Sequence, residues 1–288
     1  MDEHLTSPKA LQEIMARHGL TPNHALGQNF LIDRNILDAI VHAADVSESD
    51  CVLEVGPGLG TLTRELLQRA GRVIAVEKDA GFHAILSERW KEEPTFTLML
   101  GDALALDHAA LSYTCLVSNL PYSVGTRVVV DSATQEHPPE RMVMLVQKEV
   151  AERFAAKPFT HEIGPVTIWL QQLYSVEIVK IVKRTCFWPR PDVTSAVVRL
   201  QRHGGYPLTL PQRRCLQDIT RLAFQQRRKQ MATLFKGAPA PYAASPETMK
   251  ERLAAIHASP TARAEELSVA QWCELATHTE NKAPKKFD

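Results

Sequence analysis

Asn119-Leu120-Pro121-Tyr122 is the stretch whose residue types could do chemistry most directly. An adenine-type amino nitrogen is a poor nucleophile, because its lone pair is delocalised into the ring. It needs no strong base. It needs acceptors for its hydrogens and alignment with an electrophilic methyl group. The Asn119 side-chain oxygen and the Leu120 carbonyl can supply the acceptors. Pro121 restricts the backbone that aims that carbonyl, and Tyr122 offers a flat face on which an extruded base can stack. Taken alone, the same four residues could be a proline turn after a strand. A second set is Gly56-x-Gly58-x-Gly60, preceded by the apolar run Cys51-Val52-Leu53 and Val55, and followed by Leu62, Leu66 and Leu67 at helical spacing. Strand, glycine turn and helix is the layout of a nucleotide-type binding loop. Thr61 stands where a dinucleotide fingerprint needs its third glycine, so the spacing suits a ligand without pyrophosphate, such as S-adenosyl-L-methionine. Glu77 closes the next apolar run, 21 residues after Gly56, a distance at which a carboxylate can hold ribose hydroxyls.

These residues require an alternating α/β framework to hold them. Strands are predicted near 51–55, 73–77, 96–100, 115–118 and 142–147, with helices between. Four of them end at Gly56, Glu77, Gly101-Asp102 and Ser118-Asn119. Ligands lie outside the carboxyl ends of the strands in an open parallel sheet, so these corners should converge. Ahead of them, Ser7-Pro8 opens a short helix carrying Leu11, Ile14 and Met15. Asp33 caps a helix with Ile36, Leu37, Ile40, Val41 and Ala44 inward. Residues 176–182 and 195–200 read as a strand pair. His203-Gly204-Gly205-Tyr206-Pro207 is the predicted domain boundary. Beyond it the pattern is helical, with Ser245-Pro246 and Ser268…Gln271 as helix starts.

The chain has 288 residues and no formal net charge, room for one large domain and a small one. No apolar run is long enough for a membrane span, and the N-terminus has no secretory pattern. The five scattered cysteines and eleven histidines show no metal-ligand spacing, so we expect a cytoplasmic protein with reduced thiols and no metal. The zero charge conceals an asymmetry. Residues 178–236 hold thirteen Lys and Arg against Asp192 and Asp218, which suggests a polyanion partner on one face.

Taken together, the motifs resemble the ribosomal RNA adenine dimethyltransferase family, in particular its small-subunit dimethyladenosine transferases. The resemblance rests on Gly27-Gln28-Asn29-Phe30-Leu31, the 52–60 loop, Glu77, Gly101-Asp102, Asn119 to Tyr122 and Gln147-Lys148-Glu149-Val150. It continues through Phe187-x-Pro189-x-Pro191-x-Val193-x-Ser195 and Ala223-Phe224-x-Gln226-Arg227-Arg228-Lys229. It implies a class I S-adenosylmethionine-dependent methyltransferase domain, Rossmann-like with a seven-stranded sheet, over residues 24–202. A lead helix at 1–23 would precede it, and a small all-α domain at 203–288 that engages the ribosome would follow. It implies cofactor contacts from Gln28, Asn29, Leu31, Gly56, Gly58, Glu77, Lys78, Asp102, Ala103 and Asn119. Asn119, Leu120, Pro121 and Tyr122 would hold the target adenine, with Phe187 as a second stacking face. Arg190, Arg221, Arg227, Arg228 and Lys229 would bind RNA. The implied activity is dimethylation of two adjacent adenosines in the 3′-terminal hairpin loop of small-subunit (16S) rRNA, on an immature subunit and by a monomer. One departure from the family stands at Ile163-Gly164-Pro165-Val166-Thr167, where a tyrosine is usual in place of Ile163. The competing readings are a large-subunit rRNA adenine methyltransferase of the antibiotic-resistance type and a non-catalytic RNA-binding assembly factor. Leu120 and the Arg227-Arg228-Lys229 helix disfavour the first, and the intact Glu77, Asp102 and Asn119 to Tyr122 the second.

Overall fold

The structure, a computed structural model, describes residues 5–23 and 27–280. Residues 24–26 and 281–288 lie outside the described residues. Helix α1 (Pro8–Arg17) starts on a first-turn proline and buries Leu11, Ile14 and Met15. Strand β1 (Phe30–Leu31) leads into α2 (Arg34–Ala44), whose first N–H groups at Asn35 and Ile36 donate to the Asp33 carboxylate. The inward stripe of α2 is the one its spacing predicts. The alternation then runs β2 (Cys51–Val55), α3 (Thr61–Leu67), β3 (Arg72–Glu77), α4 (Ala80–Arg89), β4 (Phe96–Leu100), α5 (His108–Leu111), β5 (Cys115–Asn119), α6 (Gly125–Thr134) and β6 (Arg141–Gln147). After it come α7 (Lys148–Phe154), α8 (Pro165–Gln171), β7 (Tyr174–Val182), β8 (Phe187–Trp188) and β9 (Ser195–Arg202). The rest is helical: α9 (Leu210–Phe224), α10 (Met231–Leu234), α11 (Pro246–Ala255) and α12 (Val269–Glu280).

Seven strands form one sheet in the order β4-β3-β2-β5-β6-β9-β7. The first five pair in parallel, and β9 runs antiparallel to β6 with Met144 opposite Val198. The chain moves outward from β2 to β3 and β4 on one side, then returns to lay β5 on the other. The point between β2 and β5 is therefore the topological switch, and a crevice opens beyond their carboxyl ends. Gly56 leaves β2 there, and Asn119 ends β5 there. Buried side chains of α2, β2, β5 and β6 form the apolar layer under the sheet. A second cluster sets Leu11, Ile14 and Met15 against Phe30, Leu59, Phe82 and Ile85. The lead helix is thus part of the unit that holds the sheet, not an appendage.

The chain divides into two compact units, residues 1–151 with 176–202, and residues 152–175 with 203–288. This corrects the predicted boundary. Residues 152–175 lie in sequence between strands of the sheet but belong to the helical unit, because the apolar face of α8 completes that unit's core. Ile168 lies among Leu216, Ile219, Phe235, Leu253 and Trp272, and the Trp169 indole N–H donates to Thr220 Oγ1 at 2.8 Å. Ile163, the departure from the family tyrosine, is buried at 1% exposure, so no polar partner is required there. Ser268 and Gln271 make the reciprocal cap that starts α12.

Candidate functional site

A cavity opens at the switch point, lined from the first unit alone. Its glycine loop works through backbone geometry. Gly56, Gly58 and Gly60 all have positive φ, a region costing other residues roughly 1–2 kcal/mol. A Cβ on Gly58 would stand 2.9 Å from the Phe30 ring, and one on Gly60 would stand 2.3 Å from Trp90. The loop therefore requires glycine for both conformation and space.

The Gly58 N–H donates to Glu77 Oε2 at 3.1 Å, and the Asp79 N–H donates to Oε1 at 2.8 Å. These bonds fix the carboxylate and leave each oxygen a lone pair for a further donor. Glu77 is 5% exposed. Burial pushes its pKa up, while the backbone donors from Asp79 and Gly58 oppose that shift. At the end of β4, the Asp102 carboxylate receives the Lys78 ammonium at 2.8 Å and the Leu104 N–H at 2.9 Å. The Lys78 bond, then the backbone bond, holds it below the usual carboxylate range. Gln28 spans the loop entrance, its Oε1 accepting the Asn23 N–H and its Nε2 reaching Asp79.

On the other side of the crevice, Asn119 Nδ2 donates to the Asn29 carbonyl at 3.1 Å. Its amide is oriented by that bond, so Oδ1 is the free end. Neither Asn119 Oδ1 nor the Leu120 carbonyl oxygen accepts a hydrogen bond among the described residues. Leu120 N–H is held by the Leu145 carbonyl across the sheet, and the Pro121 carbonyl accepts from Val124 and Gly125 to start α6. The turn is thereby locked at both ends. The Tyr122 hydroxyl sits 2.5 Å from Ser195 Oγ, which tethers the ring from β9. Burial pushes the Tyr122 phenol up.

All ten residues expected at the cofactor, together with Leu120, Pro121 and Tyr122, line this cavity. Phe187 does not. It is 1% exposed, paired with Leu31 across β1–β8, and embedded with Leu37 and Ile40. This corrects its expected role: a ring in that apolar layer has no free face for a base. Two participants went unnoticed in the sequence. Ser195 was visible only as the end of a motif. Glu54 is a carboxylate inside an apolar strand, and that pattern break was its one signal. It lines the cavity, is 2% exposed and accepts the Thr63 hydroxyl at 2.7 Å. Burial, with Glu77 nearby, raises its pKa to about 8.

The expected RNA residues separate into two groups. Arg221 lies over the Trp169 ring and pairs with Asp218. Arg227 lies over Phe224, donates to the His161 carbonyl at 2.9 Å and pairs with Glu265 at 3.2 Å. Both are committed inside the helical unit. Arg190, Arg228 and Lys229 are exposed, with no ion pair among the described residues.

The model of the family described as ribosomal RNA adenine dimethylase matches residues 19–280. The chain belongs to that family. Ribosomal RNA small subunit methyltransferase A of Phenylobacterium zucineum is 41% identical over 270 residues, covering 92% of this chain and 91% of the relative. The protein of that name from Geobacillus thermodenitrificans is 36% identical over 284 residues, covering 96% and 97%. Among solved structures, a dimethyladenosine transferase from Plasmodium falciparum superposes with a TM-score of 0.75 at 23% identity, over 88% of this chain and 98% of that one. The 23S rRNA methyltransferase ErmE gives 0.66 at 25% identity, over 86% and 98%. The seven-stranded methyltransferase sheet and its helical partner unit are thus those of a ribosomal RNA adenine dimethylase. Among the described residues no cluster could hold a metal ion, and no helix is long and apolar enough to cross a membrane.

Proposed function

We propose that this protein transfers methyl groups from S-adenosyl-L-methionine to the exocyclic amino nitrogens of two adjacent adenosines in the 3′-terminal hairpin loop of small-subunit rRNA. The products are dimethyladenosines made during ribosome biogenesis. The observation that carries the reading is the pair of unclaimed acceptors, Asn119 Oδ1 and the Leu120 carbonyl, on residues that line the same cavity as Glu77. When bound, S-adenosylmethionine supplies an electrophilic methyl group on sulfur. The cavity fits such a ligand. Glu77 retains lone pairs for both ribose hydroxyls, Asp102 retains acceptor capacity for an adenine amino group, and Phe82 and Ala103 supply apolar wall.

The two acceptors draw the hydrogens of the target amino group toward themselves. This favours a pyramidal nitrogen whose lone pair is free to attack. Tyr122 presents a tethered ring for the base to stack on. The relatives at 36–41% identity are named small-subunit enzymes, which supports that subunit as the substrate over the large one. Mixing the protein with labelled S-adenosylmethionine and small subunits lacking these methyl groups should give dimethyladenosine, resolved by nucleoside mass. Label confined to large-subunit RNA, or none incorporated, would refute the reading.

A further inference from the structure

Phe159 is a bulky residue in the left-handed backbone region, with φ of +66°, where a large side chain is a genuine outlier. The residue is also 76% exposed. One exposed apolar residue is ordinary on a protein surface. An exposed ring on a backbone that disfavours it is not explained by packing. The surrounding structure enforces the conformation. The Phe159 N–H donates to the Glu265 carbonyl at 2.8 Å, and the loop closes on itself through Thr160, whose N–H and hydroxyl both donate to the Lys157 carbonyl. Arg227 bolts the same loop down, binding the His161 carbonyl and the Glu265 carboxylate.

The neighbours are cationic. Arg227 leads directly into exposed Arg228 and Lys229, and the turn continues into Gln230, which bridges to Arg263. Lys157 and Arg263 are exposed as well. Glu265 is neutralised by Arg227, and Glu162 is the exposed acid of the loop. Lys157, Arg228, Lys229 and Arg263 make no ion pair among the described residues.

We propose that Phe159 is a stacking anchor for an unpaired RNA base, with Lys157, Arg228, Lys229 and Arg263 holding the flanking phosphates. This rests on the reading that the enzyme binds ribosomal RNA, and it adds a contact made by residues of the helical unit, none of which lines the cavity described above. An exposed aromatic platform on a loop tied to a turn that carries exposed cations is an arrangement that suits single-stranded RNA, stacking supplying part of the affinity and phosphate contacts the rest. A hydrophobic partner protein would not call for the cations.

The test uses the full chain and two probes, the protein-free small-subunit rRNA and the assembled subunit lacking the methyl groups. Phe159→Gly should lower affinity for both about 5- to 150-fold, the range for one lost base stack. The slope of affinity against salt should not change. The variant should also melt at or above the wild-type temperature, because glycine relieves the backbone, and its cofactor affinity should be unaltered. Phe159→Trp should retain affinity and Phe159→Leu should lose it. Arg228→Gln should reduce the salt slope by about one. Wild-type affinity in Phe159→Gly, beside normal wild-type RNA binding, overturns the anchor alone. Full affinity in Phe159→Leu, or a loss seen on the subunit but not on bare rRNA, assigns the ring to a ribosomal protein and also overturns it. A wild-type protein with no salt-dependent affinity for either probe removes the underlying reading as well.

Discussion

Glu54 is a carboxylic acid that lines the cavity from within the apolar strand β2. Its folded-state pKa of about 8 lies above the value of 4.5 for an unburied glutamate. The folded protein therefore holds a proton that the unfolded chain releases. Stability from this group is fully present below pH 4.5 and is lost as pH rises through 8, by at most about 1.4 kcal/mol per pH unit. In Glu54→Gln the amide oxygen can still accept the Thr63 hydroxyl, so the melting temperature should fall less between pH 5 and 8 than in the wild type. Parallel curves for the two proteins would show that Glu54 ionises normally. Glu77→Ala should weaken S-adenosylmethionine binding by roughly 1.5–3 kcal/mol, the range for hydrogen bonds to a charged group, as read by calorimetry; an unchanged affinity would remove Glu77 from the ribose. Tyr122→Ala should slow methylation about 5- to 150-fold, with monomethyladenosine accumulating. The reason is that the second transfer acts on a nitrogen with one hydrogen fewer for Asn119 and Leu120 to hold, so the stack carries more of the grip. Wild-type rates for both transfers in Tyr122→Ala would dismiss the ring from the site. Most of this site was legible from residue types, because glycines, Glu77, Asp102 and Asn119 each sit at a strand end. Glu54 and Ser195 were not, since their roles depend on which strands become neighbours. Phe187 was misassigned for a related reason: a motif shows that an aromatic is required, not which side of the sheet it occupies.

The elements carry these residues by a simple division of labour. Strand β2 delivers the glycine loop at its carboxyl end, β3, β4 and β5 deliver Glu77, Asp102 and Asn119 at or just past theirs, and the reversal of strand order between β2 and β5 leaves room beside them. The alternation was readable because buried parallel strands are short apolar runs between helices. What periodicity could not reveal is the tertiary fit of the turn. Gly58→Ala should cost roughly 1–2 kcal/mol from backbone conformation alone, and further because the methyl group would press on Phe30 at 2.9 Å. Phe30 belongs to the cluster that seats α1. The variant should therefore lose both thermal stability and cofactor affinity, measurable by melting with and without S-adenosylmethionine. A variant equal to wild type in both would show that the loop tolerates a side chain.

For the whole molecule, the charge asymmetry seen in the sequence resolves into committed and uncommitted cations. Reversing Arg228 and Lys229 to Glu should reduce rRNA affinity and flatten its salt dependence, since Lys and Arg release counterions from phosphates, while cofactor affinity stays intact. Arg227→Ala should instead lower the melting temperature, because Arg227 ties His161 and Glu265 together. RNA binding insensitive to salt would reduce the basic block to an ordinary solvated surface. The helical unit is assembled from two separated stretches of chain, 152–175 and 203–288. No single cut can therefore part it from the methyltransferase unit. A truncation at residue 202 strands Ile168 and Trp169 without the helices that cover them, and should yield an aggregating fragment whose failure says nothing about catalysis. A clean excision has to remove both stretches and splice residue 151 to 176.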